Sequence, residues 1–401
     1  MPHAVIVAAA RTPLGRARKG SLTECRPDDL AVLAVRAVLD KVPQLDPDSI
    51  DDLVLGCAQP SGEHGNNLAR VVAVLLGLTN VPGVTVNRFC SSSLQAIRMA
   101  GHAVQAGEGD AFVCAGVEAV SRYDFRPGDG LASHNPLFAD AEERTRERTS
   151  GADSWEPPAG LPDIYIAMGL TAENVRLKEK VSRQEMDEFA ALSQSRAVQS
   201  QENGIFEREI VPVTTPSGQV ISKDDGPRPG TTTDVLATLK PAFRPDGEVT
   251  AGNSCPLNDG AAAVIVMSDT KAAELGITPL ARIVSSGVSG LDPEIMGLGP
   301  VDACRQALKR AGLTIGDVDL VEINEAFAAQ VVPSARHLGI PWDKLNVNGG
   351  AIALGHPFGM TGARIMTTLL NALEDRDLTI GLESMCVGGG QGMAMVVERL
   401  N

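Results

Sequence analysis

Short apolar runs alternate with amphipathic segments along the first 125 residues of the chain. The runs are rich in Ala, Val, Leu and Ile and predict buried strands, whereas the segments between them repeat apolar positions at helical spacing. The predicted strands are residues 4–9, 52–56, 84–86 and 111–115, and the predicted helices are residues 28–41 and 91–106. Alternation of this kind is typical of a parallel or mixed sheet covered by helices, so the fold class is α/β.

The last 150 residues repeat the order of these elements. Residues 34–56 read as a helix, a short acidic turn and a strand, and residues 303–323 read the same way. The predicted strand at 84–87 has a counterpart at 345–348. We therefore predict two similar α/β halves that pack with their related faces together.

The residues between the two halves differ from both in composition. They include a Pro/Gly/Asp-rich stretch at 126–130 and two predicted helices, 167–178 and 182–203. Ser182 and Glu185 form a capping box for the second helix, and Gly204 follows it as a C-terminal stop. Long insertions in α/β enzymes often bind substrate. The predicted division is a first half at 1–125, an inserted loop domain at 126–250 and a second half at 251–401.

Composition and charge narrow the function classes. The formal net charge of −15 over 401 residues argues against a nucleic-acid partner. No apolar run is long enough to span a membrane, and the chain opens on a strand with no leader segment. The seven cysteines are scattered without a CxxC pair, which favours a reducing compartment and excludes a disulfide framework or a cysteine zinc site. We expect a cytoplasmic protein without a bound metal.

Cys90 stands where a predicted strand gives way to a predicted helix. Unpaired backbone N–H groups and the helix dipole at such a position favour a thiolate, which is a nucleophile. The alternative for a lone cysteine is a small buried hydrophobic residue.

Three further loops, each after a predicted strand, contain side chains that can act as nucleophiles, bases or hydrogen-bonding groups. Asn324 follows a predicted strand, His356 lies in a glycine-rich loop, and Cys386 precedes a glycine run at 388–390. Such loops collect ligands and catalytic groups in α/β proteins, and free N–H groups of glycines suit an oxyanion hole. Singly, these residues also read as a helix cap, an exposed histidine and a core cysteine. Together they predict a Cys/His nucleophile arrangement.

Four motifs resemble those of the thiolase family, and the resemblance extends over essentially the whole chain. They are the nucleophile segment Cys90–Leu94, the N-E-A-F segment Asn324–Phe327, the histidine segment Gly355–Arg364 and the C-x-G-G-G-x-G segment Cys386–Gly392. The resemblance implies a layered αβαβα fold built from the two halves, with the inserted loop domain.

The resemblance also implies an activity, the CoA-dependent thiolytic cleavage of 3-oxoacyl-CoA to acetyl-CoA and a shortened acyl-CoA. Cys90 would carry the acyl group, His356 would take the Cys90 proton, and Cys386 would protonate the leaving carbanion. His356 and a water held by Asn324 would meet the enolate oxygen. The backbone N–H groups of Cys90 and Gly388 would form the oxyanion hole of the acyl carbon.

Substrate contacts and partners follow from the same resemblance. Coenzyme A is implied as a substrate, with no permanently bound cofactor, and the family usually forms homodimers or homotetramers. The strands near Cys90 and Cys114 are compatible with a sheet that continues across a subunit interface. The implied substrate- and CoA-binding residues are Met168, Ala251, Cys255, Met296, Ala326 and Phe327.

The chain departs from the family pattern at three positions. Ser93 stands where the family usually has glycine, and Cys255 stands where a serine commonly touches the pantetheine of CoA. Ala167 replaces a histidine that is frequent in members forming acetoacetyl-CoA, and this favours the degradative branch.

Three alternatives stay open from the sequence. The first is the biosynthetic branch, which condenses two acetyl-CoA molecules with the same residues. The second is a ketoacyl synthase, against which the Asn324–Phe327 segment and Cys386 argue. The third is a catalytically silent acyl-CoA carrier or scaffold, against which the presence of Cys90, His356 and Cys386 argues.

Overall fold

The computed structural model describes residues 2–123, 133–148 and 154–401. The strands are β1 (Ala4–Arg11), β2 (Gly15–Arg16), β3 (Asp52–Gly56), β4 (Gly83–Val86), β5 (Ala111–Ala119), β6 (Val213–Thr214), β7 (Val220–Ile221), β8 (Asn258–Ser268), β9 (Ala281–Gly290), β10 (Leu320–Ile323), β11 (Ile380–Val387) and β12 (Gln391–Arg399). The α-helices are α1 (Pro27–Asp40), α2 (Leu68–Leu75), α3 (Ser92–Ala106), α4 (Ala139–Glu147), α5 (Met168–Glu179), α6 (Arg183–Glu202), α7 (Thr233–Ala237), α8 (Asp269–Leu275), α9 (Gly299–Ala311), α10 (Ala328–Leu338), α11 (Ala351–Leu354) and α12 (Thr361–Asp375).

Ten strands hydrogen-bond into one mixed sheet, in the order β10-β11-β12-β9-β1-β8-β5-β3-β4, with β2 paired to β8. A separate hairpin joins β6 and β7. The junction between β1 and β9 is short, since only Val5 with Arg282 and Ile6 with Ala281 are in register there. The large sheet therefore consists of two half-sheets joined by a short pairing between β1 and β9.

Helices α3 and α12 form the layer between the half-sheets. They pack against each other, and α12 contacts strands of both half-sheets. Helix α3 packs on the first half-sheet and reaches β9 of the second through Arg98, whose Nε donates to the Ser286 hydroxyl at 3.0 Å. Helix α1 covers the outer face of the first half-sheet, and α9 covers that of the second. Three apolar clusters fill the spaces between these layers, with one around α1, one around α9 and one around α3 and α12. The structure confirms the α/β class and the layered arrangement of two halves.

The sheet of the first half takes one strand from late in the chain. Strand β8 lies within the segment 251–401, yet it pairs antiparallel with β1 and β5, for example Ala4 with Ser268 and Ala111 with Met267. The division at 125 and 250 stays a prediction. The pairing shows that the first half-sheet is complete only when β8 is added.

The predicted strand at 345–348 is wrong. Leu345 makes one isolated parallel bridge to Val321, and the chain then turns away at Asn346, whose φ is 46°. The side-chain amide of Asn346 accepts from the N–H of Ile323 at 2.8 Å and donates to its carbonyl oxygen at 2.9 Å. A side chain thus takes the hydrogen bonds that the next strand residue would have made.

The helix pair of the inserted region forms as predicted, as α5 and α6. Ser182 caps α6 in a capping box with Glu185, and Gly204 has a left-handed φ of 74° just beyond the helix. The stretch 126–130 lies outside the described residues. Within the described part of the chain, no helix is both long and apolar enough to cross a membrane.

Strand β4 is a free edge of the large sheet. Cys114 lies on β5, which has β3 on one side and β8 on the other. Among the described residues, β4 has a neighbouring strand on one side, whereas β5 is paired on both sides.

Candidate active site

Cys90 lies in a tight bend between β4 and α3. Phe89 adopts a left-handed φ of 43°, which is strained for an aromatic residue. Two side chains hold the bend: the Asn87 carboxamide accepts from the Phe89 N–H at 2.8 Å, and the Ser92 hydroxyl donates to the Phe89 carbonyl at 2.7 Å. Ser92 also accepts from the Arg88 N–H at 2.9 Å. Cys90 as a residue is partly exposed just before α3, although its sulfur is enclosed.

The surroundings of Cys90 oppose the thiolate that a helix N-terminus favours. Burial of the sulfur raises the pKa of Cys90 to about 12, and this effect outweighs the backbone N–H groups of Gly388 and Cys90, which lower the pKa. A resting thiolate stays a prediction, and a base close to Cys90 would assist attack by its thiol.

Alkylation of Cys90 should report the protonation state of its thiol. Between about pH 6.5 and 9, we expect the carbamidomethylation rate of Cys90 to rise about tenfold per pH unit, because only the thiolate reacts and its fraction grows with pH below the pKa. Peptide mapping after brief treatment with iodoacetamide measures this rate. A plateau near pH 7 would show a resting thiolate. Labelling of Cys57 or Cys304 ahead of Cys90 would contradict the burial of these two thiols.

The ring of His356 is oriented by a hydroxyl group. Nδ1 lies 2.6 Å from Oγ1 of Thr361, and that hydroxyl donates its own proton to the Pro357 carbonyl at 2.9 Å. Thr361 must therefore accept, so the ring proton is on Nδ1 and the lone pair is on Nε2. Nε2 faces Nδ2 of Asn324 at 3.3 Å. Burial, with a contribution from Arg364, lowers the pKa of His356 to about 3, so the ring is a neutral base.

Thr361 is a functional residue that the sequence reasoning missed, although it lies inside the recognised histidine motif. Its role depends on the direction of two hydrogen bonds, and spacing alone does not reveal that direction. Replacing Thr361 by Val should lower kcat/KM by roughly 10- to 100-fold, because the lone pair would no longer be fixed on Nε2. Thr361→Ser keeps the hydroxyl and should retain most activity. Equal losses in the two variants would contradict the orienting role.

Buried polar groups hold the loops that carry Asn324 and His356. The carboxamide of Asn258 accepts from the His356 N–H at 3.0 Å and donates to the Gly15 carbonyl at 3.0 Å. The carboxylate of Glu325 accepts from Ser193 at 2.6 Å and from the Ile352 N–H at 3.0 Å. Glu325, the glutamate of the N-E-A-F segment, thus links its own loop to α6 and to the segment before His356 through hydrogen bonds.

Cys386 lies near the end of β11 and is fully buried. Burial raises the pKa of Cys386 far above its usual range, and the nearby thiols of Cys90 and Cys255 raise it further. Three sulfurs therefore lie within electrostatic reach of one another. The backbone N–H of Gly388, two residues after Cys386, lies close enough to the Cys90 sulfur to lower the pKa of that thiol. An oxyanion hole formed by the N–H groups of Cys90 and Gly388 stays a prediction.

Apolar side chains surround the glycine loop beside Cys90. A Cβ atom on Gly388 would lie 3.6 Å from the Phe89 ring and 3.7 Å from Sδ of Met168, and one on Gly389 would lie 3.4 Å from Ile164. Met168 is the first residue of α5 in the inserted region. The structure therefore brings Met168 to the glycine loop beside Cys90.

The other predicted binding residues divide into two groups. The Cys255 N–H donates to the Ala326 carbonyl at 3.0 Å, which ties Cys255 to the N-E-A-F segment. Met296, Ala326 and Phe327 are buried in the same apolar cluster as Cys386. Ala251, by contrast, is exposed on a turn. Contact of these residues with CoA stays a prediction.

Ser93 fits its position although the family usually has glycine there. Its side chain is fully buried, and its hydroxyl accepts from the Ala363 N–H at 2.9 Å, which links α3 to α12. Room for it comes from glycines on neighbouring strands: a Cβ on Gly116 would lie 2.5 Å from that of Ser93, and a Cβ on Gly56 would lie 2.3 Å from its nitrogen. Glycines on the facing strands β3 and β5 thus leave the room that the side chain of Ser93 needs.

Comparisons with known proteins agree with this geometry. Residues 4–270 match the family description "Thiolase, N-terminal domain", and residues 277–399 match "Thiolase, C-terminal domain". The 3-ketoacyl-CoA thiolase of Bacillus subtilis (strain 168) is 44% identical over 99% of this chain and 100% of its own. The 3-oxoadipyl-CoA/3-oxo-5,6-dehydrosuberyl-CoA thiolase of Escherichia coli (strain K12) is 44% identical over 100% of both chains. The crystal structure of the Bacillus anthracis acetyl-CoA acetyltransferase has a TM-score of 0.86 at 39% identity, covering 100% of this chain and 99% of that chain.

Proposed function

Because this chain belongs to the thiolase family of acyltransferases, we propose that it cleaves 3-oxoacyl-CoA with CoA through an acyl-enzyme on Cys90. The products are acetyl-CoA and an acyl-CoA shortened by two carbons. The observation that carries the proposal is geometric: the bend at Cys90 packs against β11, which carries Cys386, and against residues 358–360, which follow His356. The hydrogen bonds of Thr361 place the lone pair of His356 on Nε2.

The first step forms a bond between the Cys90 sulfur and the C3 carbon of the substrate. The Cys90 proton passes to Nε2 of His356, which has a free lone pair because Nδ1 carries the ring proton. The C3 oxygen becomes an oxyanion, which accepts from the N–H groups of Cys90 and Gly388. Water is a poor competitor for C3 because the site lies among apolar side chains.

The second step breaks the bond between C2 and C3. Its electron pair moves into an enolate of acetyl-CoA, whose oxygen is stabilised by His356 and by a water held by Asn324. The Cys386 thiol then gives its proton to C2. A raised pKa suits this role, since Cys386 carries its proton in the resting enzyme.

The third step transfers the acyl group from Cys90 to free CoA. The thiol of CoA loses its proton to the Cys386 thiolate and attacks the acyl carbon, and Cys90 leaves and regains a proton from His356. The resting protonation states are thereby restored, and CoA acts as a substrate in this cycle.

The surroundings of Cys90 favour an apolar acyl chain. Phe89, Ile164 and Met168 converge on the glycine loop, and the Phe89 ring is 45% exposed. Burial of such rings and thioethers against a hydrocarbon chain is favourable at about 25 cal/mol per Å² of apolar surface. We therefore propose fatty 3-oxoacyl groups as substrates.

A second candidate is the condensation of two acetyl-CoA molecules. The name of the Bacillus anthracis relative, an acetyl-CoA acetyltransferase, favours it. Ala167 favours cleavage instead, since it stands where a histidine is frequent in the members that form acetoacetyl-CoA.

Thiolysis assays with a chain-length series test the proposal. We expect kcat/KM to rise from acetoacetyl-CoA to longer 3-oxoacyl-CoAs. The loss of absorbance of the 3-oxoacyl-CoA measures the rate. 3-Oxoadipyl-CoA, with its terminal carboxylate, should be a poorer substrate than an uncharged chain of equal length. A maximum at acetoacetyl-CoA, together with rapid condensation of acetyl-CoA, would favour the second candidate.

We also propose that two copies join along β4. This strand has a free edge, and Val74, Leu75 and Met99 are exposed apolar side chains on the two helices next to it. An open strand edge pairs readily with another chain. Light scattering at several concentrations should give a dimer or a tetramer, and a persistent monomer would contradict this arrangement.

A further inference from the structure

The side chain of Gln330 points at the sulfur of Cys386. Gln330 lies in the first turn of α10 and is fully buried. The end of its carboxamide lies 3.5 Å from Sγ of Cys386, within hydrogen-bond distance for sulfur. The backbone around it is close-packed, since a Cβ on Gly297 would lie 2.7 Å from that of Gln330. Helix α10 therefore lies close against Gly297 at Gln330.

Neighbouring backbone groups determine which end of the amide faces the sulfur. With the nitrogen on that side, it donates to the Asn324 carbonyl at 3.2 Å, and the oxygen accepts from the Val331 N–H at 3.2 Å. The reverse orientation sets oxygen against the Asn324 carbonyl and nitrogen against the Val331 N–H. Only the first orientation satisfies all three buried groups. An amide nitrogen has two protons, so the second one is free for Cys386.

We infer that Gln330 is a positioning residue whose amide N–H donates to Sγ of Cys386 and stabilises its thiolate. This inference rests on the proposed function, in which Cys386 becomes a thiolate each time it gives its proton to C2. A donor to the charged form makes that form more accessible, whereas an amide oxygen would favour the thiol. The same amide holds the carbonyl of Asn324 and so links the thiolate to the residue that holds the enolate water.

The clearest test measures Cys386 without the full reaction. When the enzyme removes a C2 proton of acetyl-CoA in D₂O, a deuteron from the solvent replaces it. NMR follows the deuterium that accumulates in the acetyl methyl group. In Gln330→Met, which keeps the length but lacks the donor, we expect this exchange to slow by roughly 10- to 100-fold at neutral pH. The pH of half-maximal exchange should rise by about 1 to 2. Gln330→Glu should be slowed at least as much, because its carboxylate would face the thiolate.

Two controls separate this role from loosening of the helix. Ser334 lies one turn later on α10, is also fully buried and donates to the Gly297 carbonyl at 3.4 Å. Ser334→Ala should leave the exchange rate and its pH profile as in the wild type. Acylation of Cys90 by acetyl-CoA, measured by mass spectrometry, should change by less than about threefold in Gln330→Met.

The outcomes are distinct. An unchanged exchange rate and pH profile in Gln330→Met, with active wild type, would overturn the role of Gln330 alone. Equal losses of exchange and acylation in Gln330→Met and Ser334→Ala would also overturn it and assign a structural effect. A wild type without thiolysis or exchange would overturn the proposed function, and this inference with it.

Discussion

Replacing Cys90 by Ala should reduce thiolysis of 3-oxoacyl-CoA by at least about 10⁴-fold, because Cys90 is the thiol that the proposal assigns to the thioester. Cys386 and Cys255 are the nearest other thiols, and burial raises the pKa of both. Cys386 is also fully enclosed beside Gln330. Steady-state thiolysis and mass spectrometry of the enzyme after incubation with acetyl-CoA measure the loss.

The loss should occur without a change in fold. Cys90 is only partly buried, so removal of its sulfur should move the thermal midpoint by no more than about 2 °C. Cys90→Ser should be almost as inactive, since a hydroxyl has a much higher pKa than a thiol. The contrary result would be a variant that still turns over substrate and is acylated at a peptide without residue 90. It would show that another residue is the nucleophile.

Replacing Cys386 by Ser should separate the two halves of the reaction. C–C bond cleavage should slow by roughly 10²- to 10⁴-fold, the effect of losing a positioned acid and base. Acylation of Cys90 from acetyl-CoA should persist, because its oxyanion hole and His356 are untouched. Single-turnover acylation and steady-state thiolysis, measured on one preparation, give the two rates.

Cys304 provides a matched control for this substitution. It is fully buried in the same apolar cluster as Cys386, but it lies on α9 away from the loops of the site. Cys304→Ser should lose stability to a similar extent and keep both rates. If Cys386→Ser slowed acylation and cleavage equally, a specific role of Cys386 at C2 would be contradicted.

Local signals predicted the α/β class and many of its elements, whereas the layered arrangement was implied by the resemblance to the thiolase family. Apolar runs, the Ser182 capping box and Gly204 each determine the conformation of a few neighbouring residues. The failure at 345–348 has the opposite origin: Asn346 ends the pairing through its contacts with Ile323, 23 residues away. The assignment of β8 to the first half-sheet likewise depends on pairing partners far along the chain.

The candidate site shows the same division. Motifs located Cys90, Asn324, His356 and Cys386, since each stands in a recognisable loop. The effect of burial on the pKa of Cys90 was not predicted, because burial depends on residues that pack around the sulfur from several elements. The roles of Thr361 and Gln330 were also missed, since they depend on hydrogen-bond direction.

The late arrival of β8 has a consequence for synthesis on the ribosome. Strands β1 and β5 must wait for β8, which emerges about 150 residues after β5, or roughly 8 to 30 s at usual elongation rates. During that interval both strands present unpaired edges, and the loop-closure cost of joining Ala4 to Ser268 is still unmet. The nascent first half is then exposed to aggregation and suited to chaperone binding. A fragment that stops before residue 258 should accordingly be insoluble when expressed alone.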